Sequence, residues 1–195
     1  MEEKKLSEKE SIEVIENMIH AASREQSSAS AFYFILWGAV IMVYSLLSFV
    51  ALTTQATWLP FASWLFIAGA VASIIHSKRR DKVETTRSWF DTLYVFVWAG
   101  TSVCIGITWV FLQKLGVTNV IPISLMLYGL ASFITGGTTR YYPSLAGGII
   151  SFVCVIFAFR LSFAYQHLIC AFAVLCVHVI PGVMMKAYYK KKYAQ

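Results

Sequence analysis

His178 is the one histidine or charged side chain that lies deep inside a long apolar stretch of this sequence. A titratable group at such a depth is a functional-site candidate by default, because burying its charged form in hydrocarbon is costly. A neutral imidazole there would carry a proton, or accept or donate a hydrogen bond. The alternative is a structural histidine, bonded to a neighbouring helix or to a carbonyl freed by Pro181, which has no N–H to give. Asp91 is the last acid of the chain. Its carboxylate at a membrane edge would bind a cation or a proton; as a helix N-cap it would instead accept from the first free backbone N–H groups. Arg140 precedes Tyr141-Tyr142-Pro143. Its guanidinium matches phosphate oxygens two at a time, and it also suits an interfacial topology charge whose stem runs along apolar surface. These three are the candidate polar groups in or near the membrane.

They do not combine into a recognisable reaction centre. With no acid after Asp91, paired carboxylates for a proton relay or for acid–base catalysis cannot be drawn from the later segments. His167 and Cys170 share a helical face, as two metal ligands would, but Cys176 lies on another face, so a third ligand would have to come from elsewhere. No catalytic residue, cofactor site or metal site is therefore expected, and an enzyme is the weakest functional class.

The elements that must position these groups follow from composition. Of 195 residues, 58% are hydrophobic and 13% charged, against about a quarter charged in a soluble domain. Six apolar segments predict six membrane-crossing helices: 31–53, 59–75, 92–112, 120–138, 145–159 and 167–185. The second and fifth are short for a core about 30 Å thick and must borrow interfacial residues; a re-entrant fifth segment is the alternative. Fourteen lysines and arginines fall on the side of both termini, and only Lys114 and Arg160 on the other. By the positive-inside rule both termini are cytosolic, and the basic pI of 9.2 reflects topology rather than nucleic-acid binding. The clusters Lys78-Arg79-Arg80 with Lys82 and Arg87, and Lys190-Lys191-Lys192, are expected to contact anionic headgroups. The four cysteines all fall in apolar segments and read as reduced packing thiols.

Residues 1–30 differ in character. Ser7 and Glu10 fit a capping box, and Ile12, Ile15, Ile19 and Ala22 form an apolar stripe on an acidic helix. No cleavable signal peptide is expected. The helix is expected to fade at a small polar hinge, Ser27-Ser28-Ala29-Ser30, and to dock on the bundle's own basic cytosolic face or on a protein partner. Residues 31–185 form the transmembrane domain and 186–195 a basic cytosolic tail. Within the helices, small residues four apart (Ala68/Ala72, Gly69/Ser73, Ser102/Gly106, Ser132/Gly136, Gly147/Ser151) mark packing seams.

Three local patterns add a resemblance: Ser11-Ile12-Glu13-Val14-Ile15 with Met18-Ile19 before Phe34-Ile35-Leu36-Trp37-Gly38; Leu127-Tyr128-Gly129 followed by Phe133 and Gly136; and Ile180-Pro181-Gly182 ahead of a lysine-rich tail. The chain resembles the small six-span inner-membrane proteins, without assigned activity, that are common in Bacteroidetes. That resemblance implies a helical bundle in a bacterial inner membrane and supplies no ligand or reaction. The expectation is thus an all-α membrane protein, a six-helix bundle with an N-terminal cytosolic amphipathic helix. Its leading role is a non-enzymatic regulatory, scaffold or accessory subunit that binds a protein partner or self-associates. A small-solute transporter or channel is the runner-up, and an intramembrane enzyme the third.

Overall fold

A computed structural model describes the backbone of residues 8–80 and 89–192, and the side chains of residues 31–59, 61–79 and 92–187. The expected Ser7–Glu10 capping box, the faces of the N-terminal helix, the Asp91 carboxylate, and the side chains of Arg80, Lys82, Arg87 and the 190–192 lysines lie outside these. All regular elements among the described residues are helical: α1 Glu8–Thr54, α2 Leu59–Ala62, α3 Trp64–Arg80, α4 Trp89–Val110, α5 Leu112–Leu115, α6 Val117–Thr138, α7 Tyr142–Ala158, α8 Phe163–Val174 and α9 Ile180–Lys192. A π-helical turn, Leu175–Val179, joins α8 to α9. Four stretches are long and apolar enough to cross a membrane: Ala31–Thr54, Thr92–Val110, Val117–Thr138 and Phe163–Ala187. Helices α3 and α7 have 17 residues each, a length of about 25 Å. Large apolar side chains stand exposed, Phe96 at 73% and Val110 at 79% among them. Such a surface suits a protein surrounded by lipid rather than water.

The hinge expected at Ser27–Ser30 is absent, because α1 runs unbroken through it. No glycine or proline lies between Glu8 and Trp37. Serine costs a helix only a few tenths of a kcal/mol, and extending an existing helix is far easier than starting one. The result is a 47-residue helix, about 70 Å long. In its apolar half the buried positions are Ala31, Phe34, Gly38, Ile41, Ser45, Ser48 and Ala51. Their spacing of three or four residues keeps one seam against the bundle. The second expected segment, 59–75, is divided instead: one turn at Leu59–Ala62, a break at Ser63, then α3 reaching on to Arg80.

The firmest packing is the antiparallel α6–α7 hairpin. Ser132 Oγ donates to the Ser144 carbonyl at 2.8 Å, and Ser151 Oγ donates to Leu125 O at 2.9 Å. An added Cβ at Gly148 would stand 2.8 Å from Gly129 O, so the two backbones meet there. The expected seams at Ser132/Gly136 and Gly147/Ser151 are thus contacts within the chain. Ser102/Gly106 has the same spacing and no such contact; a Cβ at Gly106 would meet nothing within 4 Å.

The α6–α7 turn also accounts for the backbone of Arg140. Tyr141 N–H bonds to Gly136 O and Arg140 N–H to Gly137 O, the paired bonds that close a helix C-terminus. They place Arg140 in the left-handed region, φ 55°, where glycine is favoured. Arg140→Gly is expected to raise stability by about 1 kcal/mol, seen as a higher midpoint in thermal unfolding of the purified protein.

Candidate functional site

Pro181 shapes the surroundings of His178. In an unbroken α-helix its ring would collide with the carbonyl four residues earlier, and it has no N–H to donate. The chain widens one turn ahead: Ile180 N–H bonds back to Leu175 O, five residues away, in the π turn that carries His178. Such single wide turns concentrate at functional sites. Glycines press neighbouring helices against this turn. A Cβ at Gly38 of α1 would stand 2.8 Å from His178 Cβ, and one at Gly147 of α7 would stand 2.5 Å from Cys176 O. Close approach explains glycine at both positions. On the far side of Pro181, Tyr141 donates its hydroxyl to Pro181 O at 2.7 Å, tying the α6–α7 turn to α9.

Inside this clamp the His178 imidazole is 3% exposed and ringed by aromatic groups from three other helices. Ring centroids lie 5.5 Å away at Phe34 of α1, 4.8 Å at Trp98 of α4 and 5.3 Å at Tyr128 of α6. The last two meet it edge to face, the arrangement favoured by ring quadrupoles. Tyr94 extends the cluster, 5.8 Å from Phe34 and 5.9 Å from Trp98. Among the described residues His178 Nδ1 has no hydrogen-bond partner, nor has the Trp98 indole N–H. The expected bond from a freed carbonyl is therefore not made at Nδ1. What the arrangement offers chemically is an imidazole beside an unpaired indole donor in an aromatic, apolar enclosure.

The other two candidates stand elsewhere. Arg140 is exposed on the α6–α7 turn; its link to the His178 helix runs through the neighbouring Tyr141. Asp91 lies in the first turn of α4, which begins at Trp89, so its backbone is inside the helix rather than at the cap.

Two features were not singled out from the sequence. Gln166 is fully buried, and its amide donates to Thr118 O at 2.7 Å and Ala158 O at 3.0 Å, clasping α6, α7 and α8 at one end of the bundle. Pro122 is the signal that pointed to it: lacking an N–H, it leaves Thr118 O without its helical donor. The second is a cavity of about 330 Å³ nearer that same end, between α1, α3, α4, α6 and α8, which shares Tyr128 with the His178 cluster.

Comparison of the chain with protein-family models, with curated proteins and with solved structures finds no match in any of the three.

Proposed function

We propose that the chain is a six-helix integral protein of a bacterial inner membrane, with both termini cytosolic. In this reading it serves as a non-enzymatic accessory or scaffold subunit that binds a protein partner through its N-terminal helix. The one-sided distribution of lysine and arginine supports the orientation. Helices α3 and α7 complete the count of six by borrowing interfacial residues at their ends. Lys78 and Arg79 are exposed at the end of α3, where contact with anionic headgroups is expected.

The observation that carries the partner-binding role is the continuity of α1 from Glu8 to Thr54. An amphipathic, acidic helix is unsuited to lie on an anionic membrane, whose peripheral helices have basic polar faces. Here it is a direct extension of the helix that packs on α3, α8, α9 and the π turn. A partner seated on the cytosolic half would therefore hold the bundle through a rigid lever rather than a tether. The test is affinity purification from native membranes of the full chain and of a variant lacking residues 8–26. Specific co-purifying protein is expected with the full chain and lost with the deletion, while the thermal midpoint of the bundle stays unchanged. Identical co-purification from both would overturn the reading.

The cavity favours a second reading, a small-solute transporter or channel. It would be supported by uptake of an apolar solute into proteoliposomes that is lost when the cavity is filled.

A further inference from the structure

The cavity beside Tyr128 has features that neither helix packing nor partner binding explains. Helix α3 packs on α1, and α4 packs on α6; the cavity lies between these two pairs and the start of α8. Its walls are mainly apolar, including Ile41, Phe66 and Ile121. Gly106 of α4, an exposed position, lines it, and a Cβ there would meet nothing within 4 Å. A volume of about 330 Å³ falls within the range of small-molecule pockets.

Among the ring-bearing polar side chains of the wall (Tyr44, Trp109, Tyr128 and His167), His167 is the most deeply buried and the one that offers a ring nitrogen as acceptor. His167 is 4% exposed and lines the cavity. Its Nδ1 is 2.9 Å from Phe163 O. A carbonyl only accepts, so Nδ1 carries the proton. No acid follows Asp91 to hold an imidazolium, which leaves Nε2 as the bare acceptor of a neutral ring. Among the described residues nothing donates to it. His167 lines the cavity, so an occupant that donates one hydrogen bond would satisfy this acceptor. Neither Lys114 nor Arg160 lines the cavity, so a buried carboxylate would find no cation there. A neutral hydroxyl fits, and hydrocarbon fits the rest.

We infer that this cavity binds a hydroxyl-bearing membrane amphiphile. Its hydroxyl donates to His167 Nε2, and its hydrocarbon body lies along Ile41, Phe66 and Ile121. The site is independent of the partner-binding role. A long-chain alcohol and a glycerolipid with a free hydroxyl present the same chemistry, and competition between them identifies the source.

The experiment uses the full chain in phosphatidylcholine nanodiscs, labelled with a diazirine-bearing hexadecanol and mapped by peptide mass spectrometry. Competitors are hexadecanol, a monoacylglycerol and hexadecane. Labelling is expected on α1, α6 and α8, with hydroxyl-bearing competitors effective at about tenfold lower concentration than hexadecane. His167→Leu is expected to remove that advantage. Gly106→Phe places a ring at the cavity from a position where an added Cβ meets nothing within 4 Å, and should abolish labelling with the thermal midpoint retained. Whichever hydroxyl compound competes at the lower concentration is the closer analogue of the occupant. Equal competition by hexadecane, labelling confined to lipid-facing surfaces, or undiminished labelling of Gly106→Phe would each overturn the proposal. The last decides the question even if His167→Leu fails to fold.

Discussion

Gly148→Leu is expected to cost the bundle about 3 kcal/mol or more, enough to prevent recovery of folded protein from the membrane. A single Cβ at this position would stand 2.8 Å from both Gly129 O and Phe133 N. Both atoms belong to the backbone of α6, so no side chain can rotate away to make room. The rest of the seam would open with it, because Ser132 reaches Ser144 and Ser151 reaches Leu125 only while the helices touch. In lipid there is little hydrophobic force to hold helices together, and close packing with interhelical hydrogen bonds must do so. Gly100→Ala supplies the contrast, since a Cβ there meets nothing within 4 Å. It should stabilise α4 by about 0.5–1 kcal/mol through backbone entropy alone. Thermal unfolding in detergent, followed by size-exclusion chromatography, separates the two outcomes. A Gly148→Leu protein that elutes and melts like wild type would show that α6 and α7 do not meet as described.

The two glycines illustrate how far the sequence was legible. Small residues four apart mark faces able to pack, and on α6 and α7 they do. Ser102 and Gly106 carry the same signature yet meet no neighbour, because spacing encodes a face and not the partner opposite it. The helix continues through Ser27–Ser30 for a different reason. A local run of small polar residues does not end a helix by itself, because helix extension is governed by what lies on both sides. His178 was found by type alone, as a lone imidazole in an apolar run. The groups that enclose it, Phe34, Trp98 and Tyr128, come from three separate helices. No local pattern brings those rings together. The helix end at Arg140 was unreadable as well, because its left-handed backbone is normally announced by glycine and here is not.

Gln166→Met is expected to destabilise the protein by about 2 kcal/mol, and the reason lies in another helix. The thioether keeps the length and the apolar stem but has no amide to donate. Ala158 O would retain the bond it accepts from Leu161 N–H at 3.1 Å. Thr118 O is less fortunate. The N–H that would reach it in a regular helix belongs to position 122, which is proline. The Gln166 amide at 2.7 Å stands in for that absent donor, and without it a part-buried carbonyl loses its donor. The account makes a sharper demand than a single loss. Pro122→Ala restores an N–H in register with Thr118 O, so it should rescue part of the Gln166→Met defect. The double mutant should be more stable than the two single changes predict by about 1 kcal/mol. A trivial packing role for Gln166 gives no such coupling, because removing the Pro122 ring does nothing to refill the space around the methionine. Thermal midpoints of the four proteins in one detergent decide between them: additive losses would mean that Gln166 is not the donor Pro122 lacks.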